Sequence, residues 1–544
     1  MTTELPKEMT GGEAIADSLI ANGIDTIFGI PGIQMDNLFD AFYHRQNSIR
    51  VIHTRHEQGA AYMAMGYSQS SGRPSVYTVV PGPGFLNSVT ALADAKAANL
   101  PVLALTGQIP SSKIGGGLGM PHELKDQQMV ARGIVDWVRR ADHPSDVPAM
   151  IDDAFRHMQS GRYTPAVFEM APDIMGARAP VSLFDCPAAG TAAPSPSVPA
   201  IAAIAKLIRE SVNPIINVGG GATGAVTEII ALAELMGAPV IMTPSSRGTI
   251  PDDHPLAHHM LGGQELWVNA DLVIAIGTRF TTPGLAWGRP DLAVVRIDID
   301  PVQINKPVKP RHSLVTSAVH GAAALVAALA GHKFNARTDD PAQIKVEITA
   351  KLDSLEPVAS FAKAIRRALP RDGIIVSDIT QFGVYARFGL PMYTPRSYLL
   401  PGYQATLGWA YPAALGAQIA NPHRKVITFA GDGGFMFNVQ ELATAVHHQI
   451  PVVAIVFNNG VYGNVKIIQA KDFGARHIAT ELTNPDFVAL AQSFGMSATR
   501  VDTAEALEAA LVDYLAAGKP ALIEVTIGDL PDVWSLIKRP PSQG

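Results

Sequence analysis

Short apolar runs closed by glycine, proline or asparagine alternate along this chain with longer segments whose apolar positions repeat at helical spacing. In the first third, the pattern predicts a helix over 10–23, a strand over 25–30, a helix over 35–43 and a strand over 50–54. An Ala- and Met-rich helix opened by Arg55-His56-Glu57 follows, then buried strands over 75–80 and 102–106. The middle predicts strands over 214–218, 239–242, 271–276 and 294–297. After a charged helical connection over 341–355 come a helix over 357–369 and a strand over 374–377. Further on, a strand over 425–430, a helix over 437–448 and a strand over 451–457 make one β-α-β unit with adjacent parallel strands. Strands alternating with helices argue for the α/β class: three doubly wound parallel-sheet domains, over 8–178, 198–335 and 356–544. The Pro/Ala/Ser-rich stretch 179–199 joins the first two.

Composition narrows the picture. The 544 residues are 47% hydrophobic and 17% charged, with a net charge of −6, which fits a soluble globular protein with sizeable cores. No basic run suggests a nucleic-acid partner, and no stretch reaches membrane-spanning length. The N-terminus lacks an apolar leader core, so a cytoplasmic protein is expected. The single cysteine, Cys186, excludes an internal disulfide.

Candidate chemistry gathers where strands end. Gly431-Asp432-Gly433 follows the strand over 425–430, and Asn458-Asn459-Gly460 follows the one over 451–457. Both fall at the carboxyl edge of one sheet, where α/β proteins hold phosphates. Asp432 offers a carboxylate, Asn459 an amide oxygen and Val461 a backbone carbonyl, which are hard ligands suited to Mg²⁺. Either piece alone also reads as an ordinary glycine or Asn-Gly turn.

Taken together, GDG, 24 residues and NN resemble the signature of the thiamine-diphosphate-dependent decarboxylase and carboligase superfamily, on its acetolactate synthase-like side. The resemblance implies a pyrimidine-binding first domain, a central Rossmann-like domain and a diphosphate-binding last domain. It also implies homodimers or homotetramers whose sites are shared between the first domain of one subunit and the last of another. Asp432, Asn459 and Val461 would ligate Mg²⁺. Gly431, Gly433, Gly434, Tyr462 and Gly463 would approach the cofactor, with Ile379 and Thr380 beside its diphosphate. Leu407 stands where the family places an aliphatic wedge that bends the cofactor.

Glu57, by itself a helix-start glutamate favoured by the dipole, matches the family glutamate that hydrogen-bonds N1′ of the aminopyrimidine and shares a proton with the ring. Pro31 lies in the substrate-side loop. Gln108, in TGQIP, is as in the acetolactate synthase branch. His122, in a glycine-rich loop, is either a surface histidine or a contact to the substrate carboxylate or a proton relay.

Several departures bear on substrate. Ile33 replaces the second glycine of the Gly-Gly common in acetolactate synthases. No tryptophan follows the NN pair until Trp534. In the middle domain Thr281-Thr282 replaces Asp-Asp, so FAD is not expected there, and an ADP-like or empty site is. The implied reaction is carbon–carbon bond making or breaking on a 2-oxo acid, with acetolactate synthase-like carboligation first. A simple 2-oxo acid decarboxylase, a 2-hydroxyacyl-CoA lyase or oxalyl-CoA decarboxylase-type enzyme, and a catalytically silent cofactor-binding subunit are the alternatives.

Overall fold

The computed structural model describes residues 6–184, 190–289 and 291–536. Cys186 and part of the connection over 179–199 lie outside the described residues. The strands of the first domain are β1 (Lys7–Thr10), β2 (Thr26–Gly29), β3 (Arg50–His53), β4 (Ser75–Val79), β5 (Val102–Gly107), β6 (Trp137–Ala141), β7 (Ala166–Met170) and β8 (Arg178–Val181). The middle domain has β9 (Pro214–Val218), β10 (Val240–Met242), β11 (Ala257–His259), β12 (Leu272–Ile276), β13 (Ala293–Asp298) and β14 (His312–Val315). The last has β15 (Ile374–Ser377), β16 (Tyr398–Leu399), β17 (Val426–Gly431), β18 (Val453–Asn458), β19 (Ser497–Val501) and β20 (Ala521–Thr526).

These strands form three six-stranded sheets, ordered β3-β2-β4-β5-β7-β6, β11-β10-β9-β12-β13-β14 and β16-β15-β17-β18-β20-β19. Every pairing within them is parallel. The α/β class with three parallel-sheet domains is therefore present. β1 and β8 make a separate antiparallel pair, so the stretch expected to be a connection from residue 179 begins as a strand.

The first and last sheets share one strand order, and their registers match residue for residue. Thr78 pairs with Gly29 as Phe429 pairs with Ser377, and Thr106 pairs with Glu169 as Val456 pairs with Glu524. Pro31-Gly32 is thus the positional twin of Ile379-Thr380, Val80-Pro81 of Gly431-Asp432, and Gln108 of Asn458. The two sheets also share a cross-strand pair of a buried glutamate and a more exposed arginine, Glu169 opposite Arg140 and Glu524 opposite Arg500. Those glutamates interrupt the apolar runs of β7 and β20, which is why hydrophobic patterning passes over both strands.

A second difference lies in the helix expected over 437–448. It is broken into Asp432–Phe435, a 3₁₀ segment Met436–Glu441 and Leu442–His447. The break falls at Asn438, whose backbone leaves helical geometry (φ −132°) and whose amide donates to the Gly408 carbonyl at 2.8 Å. A tertiary hydrogen bond outweighs helix propensity there.

The first and last domains meet through the helices Glu57–Ser71 and Ala410–Ala420. Glu57–Ser71 is apolar on nearly every face, as a helix buried all round must be. Glycines let the two backbones touch: a Cβ on Gly66 would lie 1.9 Å from the Ala413 carbonyl oxygen, and one on Gly416 1.9 Å from that of Met63. In the middle domain, the amides of Gly219 and Gly221 donate to the carbonyls of Ile276 and Gly277 at 3.1 and 3.0 Å, closing the glycine turn onto its own sheet. No helix among the described residues is long and apolar enough to cross a membrane.

Gly66→Ala should lower the melting temperature, since overpacking costs about 1–3 kcal/mol or more where backbone cannot yield. Gly224→Ala, at a site with no atom within 4 Å of the new Cβ, should leave it unchanged in the same thermal scan.

Candidate functional site

In both outer domains the strand order reverses next to the sheet centre, at β2/β4 and at β15/β17, and ligands bind in the crevice outside such a switch point. In the last domain the crevice is lined at β15 by Ile379, Thr380 and Gln381, and at β17 by Gly431, Asp432, Gly433 and Gly434. Leu407 forms another wall, and Asn459, Val461, Tyr462 and Gly463 close the side beyond β18. Every residue predicted for the cofactor in this domain, from Ile379 to Gly463, lines this one cavity.

Local geometry explains the glycines. A Cβ on Gly433 would meet the Tyr462 ring at 2.5 Å, one on Gly434 the Asp378 carboxylate at 2.8 Å, and one on Gly463 the Gln381 amide at 2.1 Å. The backbone here packs too closely for side chains, which leaves main-chain groups facing the cavity.

The oxygen ligands are fixed by their neighbours. Asp432 Oδ2 accepts from the Gly460 amide at 2.8 Å and from Asn484 Nδ2 at 2.6 Å. Burial pushes its carboxyl up, against the opposing pull of Asn484, Gly433 and Gly460. A bound cation would hold it ionised. Asn459 turns its NH₂ toward Gln381 (3.4 Å), which leaves its amide oxygen for a ligand. Val461 faces Glu481 in an antiparallel bridge. The bonds Tyr462 N to Thr480 O (2.8 Å) and Leu482 N to Gly460 O (2.7 Å) flank Val461, so its own carbonyl points away from that partner segment. A carboxylate, an amide oxygen and a peptide carbonyl make a donor set that fits Mg²⁺ together with the oxygens of a diphosphate.

Two residues that sequence reasoning missed complete this half. Asn484 braces Asp432 and also donates to Asn458 Oδ1 at 3.0 Å. Asp378 is buried, its carboxyl pushed up to about 7 by desolvation. It accepts from the amides of Ile379 (2.8 Å) and Gly408 (3.0 Å), tying the β15 loop to the Leu407 loop. Its position directly after β15 was a readable signal, whereas Asn484 lies far along the chain in a loop with no pattern.

The remaining predicted residues gather at the equivalent edge of the first domain, and none of them lines the last-domain cavity. Glu57 starts its helix behind the cap made by His56, whose Nδ1 accepts from the Gln58 amide at 3.1 Å. Glu57 Oε2 accepts from Asn87 Nδ2 at 3.1 Å. Hypothetical Cβ atoms on Gly32 and Gly84 would press on Val80, and that on Gly84 would come within 3.6 Å of Glu57. The Pro31-Gly32 loop and the Pro81–Gly84 turn therefore surround Glu57 through Val80.

His122 joins the same cluster: its backbone lies against Gly82, and its Nδ1 is 2.8 Å from Gln34 Oε1. Its φ of 69°, uncommon for a residue with a Cβ, is held by this packing. Gln108 turns inward instead. It is buried, and its Oε1 accepts from the Ile109 amide at 2.8 Å, so its amide oxygen is spent on its own loop.

Comparison with known proteins accounts for this arrangement. Residues 9–130 match the family model for the N-terminal TPP binding domain of thiamine pyrophosphate enzymes, 201–325 the central domain, and 378–525 the C-terminal TPP binding domain. A probable acetolactate synthase large subunit of Methanocaldococcus jannaschii is 33% identical, over 95% of this chain and 92% of that protein. The acetolactate synthase isozyme 1 large subunit of Escherichia coli is 30% identical over 98% and 97% of the two chains. A probable 2-ketoarginine decarboxylase of Pseudomonas aeruginosa is 32% identical over 92% and 91%. The chain belongs to the thiamine pyrophosphate (thiamine diphosphate) enzymes. Within that family it falls in the acetolactate synthase-like branch.

Losing a hydrogen bond to a charged group costs about 1.5–3 kcal/mol, and each 1.4 kcal/mol is tenfold in affinity. Asn484→Ala should therefore raise the Mg²⁺ concentration needed for half-maximal thiamine diphosphate binding by about tenfold or more, read by intrinsic fluorescence. Asp432→Ala should abolish the Mg²⁺ dependence altogether.

Proposed function

We propose that this enzyme uses thiamine diphosphate and Mg²⁺ to make or break carbon–carbon bonds in 2-oxo acids, with acetolactate synthase-like carboligation as its reaction. The observation that carries the reading is the oxygen-ligand crevice at the β15/β17 switch point, matched by a Glu57 cluster at the equivalent edge of the first domain. When bound, the cofactor supplies a carbon nucleophile for the substrate carbonyl.

The chain's own residues would do the rest. Asp432, Asn459 and Val461 hold the metal, while Ile379, Thr380 and the glycines 431, 433, 434 and 463 admit the diphosphate. Tyr462 packs over Gly433 and keeps that turn in place. Leu407, which lines the cavity, would pack against the cofactor. Glu57, oriented by Asn87, holds a proton at the pyrimidine N1′. His122, steadied by Gln34, stands on the substrate side beside the Pro31 loop. Gln108, buried and bonded through its Oε1 to the Ile109 amide, acts as a positioning residue at the end of β5.

Glu57 lies outside the cavity it is meant to serve, so a second copy of the chain, in a homodimer or homotetramer, would bring its first domain over the crevice. Tyr403, Phe437, Val465 and Ile468 support this, since they stand exposed on the segments around Leu407 and Tyr462. The reading assigns no FAD, because the glycine turn after β9 spends two amides on its own sheet. The purified protein should lack flavin absorbance.

A simple decarboxylase is the second reading. The missing tryptophan segment after Asn459 and the similarity to a probable 2-ketoarginine decarboxylase favour it. Pyruvate supplied with thiamine diphosphate and Mg²⁺, with CO₂ and acetolactate followed together, separates the two. Acetolactate establishes carboligation. CO₂ with only an aldehyde product establishes decarboxylation, and no turnover with bound cofactor moves the substrate to a bulkier 2-oxo acid. Glu57→Gln should lower turnover by about 10²–10⁴-fold while cofactor binding persists, as for a lost proton-transfer group. Full activity in that variant would overturn the assignment.

A further inference from the structure

His53 closes β3 in the first domain, and His447 and His448 end the helix Leu442–His447 in the last. Their imidazoles meet edge to face across the domain junction, with ring centroids 4.5 Å apart for His53–His447 and 4.7 Å for both His53–His448 and His447–His448. One nitrogen from each ring lies within 4.8 Å of the other two. No carboxylate is part of this group, so protonating the rings would only set like charges against one another. Burial, and then the neighbouring histidines, lower the pKa of His53 and bring that of His448 down to about 4. Neutral rings keep a lone pair for a ligand bond. Nε2 of His448 lies 3.2 Å from the His53 carbonyl oxygen. As a donor to that oxygen it fixes the tautomer and leaves the lone pair of Nδ1 free, the outer-shell arrangement common to metal-binding histidines.

We propose that His53, His447 and His448 form a site for a divalent transition-metal ion such as Zn²⁺ or Ni²⁺, linking the first and last domains of one chain. Imidazole nitrogens select this class of ion and disfavour Mg²⁺, so the site is chemically distinct from the Asp432 crevice. Zn–N bonds of 2.0–2.1 Å place tetrahedral ligands about 3.3 Å apart. The cluster must therefore contract by about 1.5 Å at most, and His447, exposed at a helix end, is free to swing. Water would complete the coordination as a fourth ligand.

The site would stiffen a junction that matters to Glu57. From β3 the chain passes directly to Arg55 and His56, whose amides donate to the buried Glu441 carboxylate of the last domain at 3.2 and 3.0 Å. The next residue is Glu57.

The test uses the full-length protein without a histidine tag, stripped with EDTA and free of thiamine diphosphate, so that it stands apart from the cofactor reading. Zn²⁺ is titrated in competition with a chromophoric chelator, and Co²⁺ is added separately to read its visible ligand-field bands. Wild type and the exposed control His423→Ala should each bind one equivalent per chain, with a rise in melting temperature. His447→Ala, a surface change that leaves the fold intact, should lose at least about tenfold in affinity, together with the thermal shift and the Co²⁺ bands. Folded wild type that takes up no metal, or an unchanged affinity in His447→Ala, would overturn the site.

Discussion

The contact on which this molecule turns is the crossing of two buried helices, Glu57–Ser71 and Ala410–Ala420. Gly66 rests on the Ala413 carbonyl and Gly416 on that of Met63, closer than any side chain allows. Around that crossing one hydrophobic core runs continuously from the first domain into the last. Everything at the front of the first helix inherits its position from this contact. The His56 cap, Glu57 with Asn87, and the two amides held by Glu441 all depend on how the helix is seated.

The two outer domains solve one problem twice. Equal strand order and register put loops at the same two sheet edges, and each pairs a buried glutamate with an arginine one strand over. In the last domain Asn458 donates to Glu524 at 2.8 Å, and in the first Gln127 donates to Glu169 at 2.8 Å. What differs is the chemistry at the strand ends. At the end of β17 stand Gly431 and Asp432, suited to a diphosphate and a cation. Their twins Val80 and Pro81 are apolar, suited to a ring face beside Glu57. One scaffold thus provides a polar half-site and an apolar one.

Most of the fold was legible because parallel strands buried on both faces read as apolar runs punctuated by glycine, and the strands over 214–218 and 374–377 fall where that pattern puts them. β7 and β20 were hidden by Glu169 and Glu524, buried charges that only a neighbouring strand makes tolerable. β16, with two residues, and the partly exposed β19 carry too little pattern to be seen. The helix over 437–448 was misjudged because Asn438 finds a better partner in Gly408 than in its own helix.

The site divides along the same line. Asp432, Asn459 and Val461 could be named in advance because a β-α-β unit places them at two adjacent strand ends, whereas Ile379, Thr380 and Leu407 were named from the resemblance to the family. The sequence by itself determined the domain class, the switch-point chemistry of Asp432, Asn459 and Val461, and the candidacy of Glu57. Only the tertiary structure decided that Asn484 braces Asp432, that Asp378 joins two loops as a buried carboxyl, that Gln108 faces inward, and that three histidines from two domains converge. Those facts arise from residues distant in sequence, whose meeting depends on how helices and sheets pack, and local pattern holds no record of that packing.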